Sequence, residues 1–266
     1  MKQTLLNPFL QESLFAVRGL LHKNCQPYID RLAPEYQPAF DWLNRDLLPV
    51  LIILPNTLDK SHCCVSNNIC NLALAMEISF LAGRVHDLMA IVRNNQPGQG
   101  RSDMSEASRA ILVGDYLYTL AANKLAQFGY SQWLERIGRT LCRRSEAKLA
   151  RLRWQTRPYV SEKERLANLH KEHAEGVALA AEMAVANTDW SENERQAWTE
   201  FGFYVGQAQG VLLNEPGRDC SKAIYQAEKV ISILPLQLQA SAKAVILNRF
   251  GQGANHWRKE YEQAVK

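Results

Sequence analysis

Apolar residues recur along almost the whole chain with a period near 3.6, and the period-two alternation that a half-buried strand requires is nearly absent. The 14 glycines and 10 prolines fall mostly between these periodic stretches rather than inside them. The chain is therefore read as all-α. Three positions pair a side-chain acceptor with an acidic residue three places on, as a capping box does: Asp103 with Glu106, Ser161 with Glu164, and Ser191 with Glu194. They predict helices over 103–128, 161–187 and 191–213. Stops are predicted at Gly129, Pro158, Pro216-Gly217 and Gly251, and a loop from Asn94 to Gly100. With no linker, low-complexity tract or internal repeat, residues 1–266 are expected to form a single domain. Long helices with broad apolar faces and short connections pack as a bundle, and bundles hold their sites between facing helices.

With 47% apolar and 22% charged residues, the composition excludes a disordered or fibrous chain. The longest apolar run, Leu47 to Leu54, is far short of the roughly 20 residues of a membrane-spanning helix, and Asp115 interrupts the next candidate. The N-terminal residues have neither a long apolar segment nor a small-residue cleavage site, so the expected setting is the cytoplasm. Six cysteines, two of them adjacent at Cys63 and Cys64, need no disulfide framework and are expected to be reduced. The net charge is only +4, yet Glu135 to Arg157 carries eight basic residues against two acidic ones. They recur at i, i+3, i+4 and i+7 and form one stripe on a helix. A solvated face is the plainer reading; an acidic partner or anionic membrane surface is the alternative, and no nucleic-acid motif accompanies the stripe.

Several ligand-like residues read more simply as structure. His170 and His173 share a helix face but lack the glutamates of a di-metal bundle. His62-Cys63-Cys64 with Cys70 lacks the paired spacing of a zinc site, so core packing is expected. Gly98-Gln99-Gly100 has neither the preceding strand nor the following Lys-Ser/Thr of a phosphate loop, and no nucleophilic triad is legible.

The most informative stretch is Glu77 to Leu120. Glu77 lies nine residues before His86-Asp87, and a later helix carries Ile111 to Leu117, ILVGDYL. Further on, Phe201 to Ala208 reads FGFYVGQA. In these motifs and their order the chain resembles the trans-isoprenyl diphosphate synthases over roughly residues 40–220. The resemblance implies the isoprenoid synthase type of helical bundle. It also implies allylic diphosphate ionisation assisted by Mg²⁺, which takes hard oxygen ligands from two facing helices.

The residues that the resemblance assigns to that chemistry are largely replaced. The first motif's three aspartates correspond to Asp87, Leu88 and Ile91, and the second motif's to Leu213, Asn214 and Gly217, with Glu215 the one nearby carboxylate. Of the cations that hold isopentenyl diphosphate, Arg45 remains, followed by Asp46, and the later Arg-Arg-Gly corresponds to Gln96-Pro97-Gly98. The lysine of the Lys-Thr-Ala motif falls on Glu172. The Asn-Asp-x-x-Ser-x-x-x-Glu pattern of terpene synthases is absent as well, since Arg218 and Lys222 stand where Ser and Glu are required.

The expectation is a catalytically silent prenyl-synthase-like subunit without a cofactor, magnesium entering only with residual activity. Its implied partner is an active polyprenyl diphosphate synthase, in a heterodimer or alternatively a homodimer. The family's dimer contacts correspond to Ile111, Leu112, Tyr116 and Tyr118, and the small residues before its first aspartate to Ala82 and Gly83, implying a deep product channel. Asp115 is expected to be a partly buried carboxylate with a hydrogen-bonding role. Two other readings stay open: a divergent prenyltransferase using Asp87, Asn214 and Glu215, and a module that holds an isoprenoid or other lipid.

Overall fold

In the computed structural model the described residues are 8–32, 47–57, 66–95, 102–154, 156–157, 159–214 and 219–264, with the side chains of 8, 87–95, 102–107 and 251–264 outside the description. The helices are α1 (Pro8–Ile29), α2 (Leu47–Ile53), α3 (Asn67–Asn95), α4 (Ser102–Gln127), α5 (Leu134–Trp154), α6 (Glu162–Leu169), α7 (Glu175–Val185), α8 (Glu192–Asn214), α9 (Ser221–Ile231) and α10 (Leu236–Ala264). Short 3₁₀ segments occupy Leu54–Thr57 and Ser131–Trp133, and a π turn, His170–Ala174, joins α6 to α7. No strand occurs among the described residues, and the fold is all-α.

The predicted helices are present, and their ends follow the local chemistry. Ser161 accepts from the Glu164 amide while the Glu164 carboxylate takes the Ser161 amide, a complete capping box. Ser191 and Glu194 repeat it. Helix α4 ends before Gly129, whose φ of 82° is the left-handed conformation that glycine adopts without a Cβ penalty. Asp103 falls inside α4, one residue past its first, with its side chain outside the described residues. Two stops are corrected. Helix α5 ends at Trp154, before the stop predicted at Pro158, and α10 runs through Gly251 to Ala264. An internal glycine costs a helix about 1 kcal/mol relative to alanine, which neighbouring turns absorb, so it does not by itself end one.

The described residues divide into two compact units. The N-terminal unit holds α1 to α4, built around the pairing of α3 with α4, with α1 and α2 packed on α3. Leu72 to Met76, Ile78, Leu81, Ala82 and Val85 of α3 are buried all round, which is why α3 reads as apolar on every face. The C-terminal unit holds Leu54–Thr57 and α5 to α10 around α8, which packs on the π turn, α7 and α9. Trp198 and Phe201 of α8 stack at its centre with rings 5.2 Å apart. The described cysteines Cys25, Cys70, Cys142 and Cys220 are free thiols, and Cys70 is buried as core packing requires; Cys63 and Cys64 lie outside the described residues. No helix among the described residues is long and apolar enough to cross a membrane.

Candidate functional site

In the N-terminal unit the structure brings together the pieces that the sequence keeps apart. The His86 ring of α3 lies on Gly114 of α4, where any Cβ would overlap it. Its Nε2 is 3.4 Å from the Asp115 carboxylate, and its ring faces Tyr118 at 5.8 Å. Asp115 is not partly buried as expected: its side chain is 64% exposed, so its role is a surface pairing with His86 and not the satisfaction of a buried charge. Glu77, two and a half turns before His86, is buried. Burial and the Glu77 charge push the Cys25 thiol up to about 12. Ala82 and Gly83 are buried within α3.

On α4, Ile111, Leu112 and Tyr116 are exposed and Tyr118 is half-buried. Tyr116 packs its ring against Tyr28 of α1 with centroids 3.9 Å apart. The Tyr28 hydrogen bond and partial desolvation push the Tyr116 hydroxyl up to about 12. Asp87 belongs to α3, but its carboxylate lies outside the described side chains, and Arg45 and Glu215 lie outside the described residues.

The C-terminal unit holds a second constellation, centred on the π turn. Glu172 is almost fully buried and accepts from Arg151 of α5 at 2.8 Å. Its oxygen lies 3.6 Å from His173 Nε2. Burial raises the Glu172 carboxyl, but its interaction with the neighbouring His173 and with the cations Arg151 and Lys148 outweighs it and holds it at about 2. Burial lowers the His173 pKa, with Arg144 and Lys148 reinforcing that direction and Glu172 opposing it. The Asn214 amide nitrogen, which can only donate, pairs with His173 Nε2, so the ring accepts there. The other Asn214 proton goes to the Gly210 carbonyl at 3.2 Å, so the amide nitrogen is fully used.

Three glycines let α8 come this close. A Cβ at Gly202 would lie 2.7 Å from Ala181 Cβ, one at Gly206 3.0 Å from Ala174 Cα, and one at Gly210 2.9 Å from His173 Cβ. The i, i+4, i+8 spacing puts all three on one face of α8. Its first two members belong to the FGFYVGQA motif of the sequence, and Gly210 extends it by one more turn. Single π turns are a rare irregularity that concentrates at functional sites, and no sequence signal announced this one. His170 and His173 do not converge: His170 sets its ring edge on Phe203, 4.9 Å away, while His173 goes to Asn214.

Among the described residues, no three His, Cys, Asp or Glu side chains gather as metal ligands do. The positions matched to the second aspartate motif offer the Leu213 alkyl chain and an Asn214 amide already committed to His173 and Gly210. Magnesium takes hard oxygen donors, of which this pair offers the Asn214 Oδ1 alone, while Glu215 and Gly217 lie outside the described residues.

The backbone itself is familiar. A geranylgeranyl pyrophosphate synthase from Lactobacillus brevis superposes with a TM-score of 0.71 at 13% identity, over 91% of this chain and 97% of that one. A polyprenyl synthase from Caulobacter crescentus, complexed with calcium and isoprenyl diphosphate, gives 0.63 at 12% identity over 90% and 96%. The chain has the trans-prenyl diphosphate synthase fold. A deletion mutant of the heterotetrameric geranyl pyrophosphate synthase of mint, in complex with ligands, shares this prenyl synthase fold with a TM-score of 0.57 at 15% identity, over 91% of this chain and 99% of that one. No family model matches the chain, and no curated protein is significantly similar to it in sequence.

Three of the eight basic residues of the stripe reach carboxylates elsewhere in the C-terminal unit. Arg136 makes a bidentate pair with Glu182, Arg143 pairs with Glu175 at 2.7 Å, and Arg151 pairs with Glu172 at 2.8 Å. The face is solvated as expected, with Arg136, Arg139, Arg143, Arg151, Arg153 and Arg157 all exposed, and three of these arginines also pair with carboxylates of the π turn and α7.

Proposed function

We propose that this chain is a non-catalytic polyprenyl diphosphate synthase-like subunit, a divergent member of the trans-prenyl synthases that supports or regulates an active synthase in isoprenoid biosynthesis. The observation that carries the reading is Glu172. Where the family resemblance calls for a lysine to meet diphosphate, the chain buries a carboxylate, pairs it with Arg151 and leaves Asn214 bonded to His173. A buried anion at that position repels a diphosphate and cannot be displaced without breaking the pair. The loss of aspartates around Asp87 and Asn214 points the same way, and with them goes the need for magnesium.

A partner is supported by the exposed face of Ile111, Leu112 and Tyr116, apolar side chains of the size that interfaces cover. The mint neighbour is described as heterotetrameric, which fits a prenyl synthase fold working in mixed company. In this reading residues 1–266 act as one prenyl-synthase-like domain, paired with an active subunit through α4.

The test is a prenyltransferase assay with Mg²⁺, farnesyl diphosphate and isopentenyl diphosphate, run on the chain alone and again with the active synthase of the same source. The expected result is no product alone and a changed yield or chain length in the mixture. Product from the chain alone would overturn the proposal and return the divergent prenyltransferase with Asp87, Asn214 and Glu215. Silence in both, with lipid co-purifying, would favour the binding module. Leu112→Glu should abolish the effect of mixing while leaving the helical content unchanged by circular dichroism.

A further inference from the structure

Helix α5 is tied to its neighbours more by charge than by apolar packing. Its buried residues are Ile137, Arg144 and Ala147, whereas Arg136, Arg143 and Arg151 reach across to Glu182, Glu175 and Glu172 as the rungs of an antiparallel ladder. The first two rungs start seven residues apart, two helical turns or about 10 Å. Between them lies a cleft of about 290 Å³, bounded on one side by Arg136, Arg139 and Thr140 and on the other by Glu175 and Glu182. Phe203 of α8, with Ala178 and Leu179 of α7, gives it apolar walls.

The charges of the two rungs cancel in pairs. Arg139 is different, because its partner Glu135 sits one turn back on the same helix and both side chains are more than two-thirds exposed. An exposed i, i+4 pair is the weakest kind of ion pair and gives way readily to a better-placed anion. The cleft thus combines an apolar face, a hydroxyl and one exchangeable guanidinium.

We propose that this cleft binds a small amphiphilic anion, a compact aromatic or branched-alkyl body carrying one carboxylate, sulfonate or phosphate. The body covers Phe203 and Leu179, and the head group takes Arg139 from Glu135 and accepts a hydrogen bond from Thr140. The volume lies at the lower edge of ordinary small-molecule sites, roughly 300–1,000 Å³. The two rungs cross from helix to helix at its ends, so neither a helix nor an extended peptide can run along it. A cationic head would meet Arg139 and find both carboxylates already paired. The site uses none of Glu172, His173 or Asn214, so it stands or falls apart from the silent-subunit reading.

The test is isothermal titration of the full chain with 2-naphthalenesulfonate at low ionic strength. Saturable one-to-one binding is expected. Arg139→Gln should weaken it about fivefold or more, the loss of one charge-assisted hydrogen bond. Ala178→Met, which fills the cleft from a partly exposed position, should abolish it. Arg153→Gln, at an exposed position outside the cleft, should leave it unchanged, with thermal melts of all three variants confirming the fold. No saturable binding at millimolar ligand, or equal binding by Ala178→Met, overturns the proposal. So does equally tight binding of the neutral 2-naphthylmethanol, since recognition would then owe nothing to Arg139.

Discussion

Two clusters of motif positions, one in each unit, are treated in opposite ways. In the N-terminal unit His86, Gly114 and Asp115 keep the identities that the family resemblance expects, and they touch one another with Asp115 exposed and His86 half-buried. In the C-terminal unit the corresponding positions carry Glu172 and Asn214, and these are drawn into a buried network with Arg151 and His173. Retention is cheap where the groups are solvated, because an exposed imidazole or carboxylate needs no partner. Replacement in the interior has to be complete, because a buried charge without a partner costs several kcal/mol on the order of what a whole domain has to spare.

The sharpest way to break this contrast is to remove one cation from each side of it. Severing a buried pair typically costs about 3–5 kcal/mol, and the half-exposed Arg151 lets water replace part of its contribution, so Arg151→Ala should cost about 2–3 kcal/mol. His86→Ala removes an exposed pairing and should cost about 1 kcal/mol or less. Urea unfolding of both variants makes the comparison; equal losses would mean that Glu172 does not depend on Arg151.

Glycine substitutions sharpen it further. A methyl group at Gly206 would press on the Ala174 backbone and Val177 Cβ, and overpacking of that kind costs about 1–3 kcal/mol. At Gly114 the obstacle is the movable His86 ring, and alanine gains about 0.8–1.0 kcal/mol in helix propensity. Gly206→Ala should therefore lower the melting temperature clearly and Gly114→Ala hardly at all.

Acid should strike the C-terminal unit. Glu172 has a folded pKa of about 2, below its ordinary 4.5, so its stabilisation is complete above pH 4.5 and is lost as the pH falls towards 2. His173 is also lowered, so its contribution is complete above about 6.5 and declines as the pH falls through its folded value. Both act in the same direction. Glu172→Gln should flatten the acid limb of a stability profile below pH 4.5; an unchanged limb would assign acid unfolding elsewhere.

The smallest effect belongs to the N-terminal unit and lies at the alkaline end. Tyr116 is raised to about 12, so its hydrogen bond is intact below pH 10 and is lost as the pH rises through 12. Tyr28→Phe should return the Tyr116 transition towards 10 in an ultraviolet titration.

Much of this was legible in residues that act locally. Ser161 with Glu164 and Ser191 with Glu194 start their helices as the spacing predicts, because a capping box is made within four residues. Gly129 ends α4 because its φ is a property of one residue. The stop at Gly251 failed because a glycine's cost is small enough for surrounding turns to override it. The basic stripe of α5 could be seen but not placed: one helix's periodicity gives the face, and the identity of what covers it depends on contacts 21 to 46 residues away.

The sequence alone determined that the chain is all-helical, and it carries the resemblance that expects prenyl-synthase motifs at His86 and Gly114-Asp115 and replacements at Glu172 and Asn214, since periodicity, caps and motif spacing are written in neighbouring residues. Tertiary structure alone decided that Glu172 is a paired and depressed carboxylate, that His173 and Asn214 lock together, and that three arginines of α5 pair with the π turn and α7. Those outcomes depend on burial and on charges brought close through space, which change pKa values and energies in ways that no local pattern encodes.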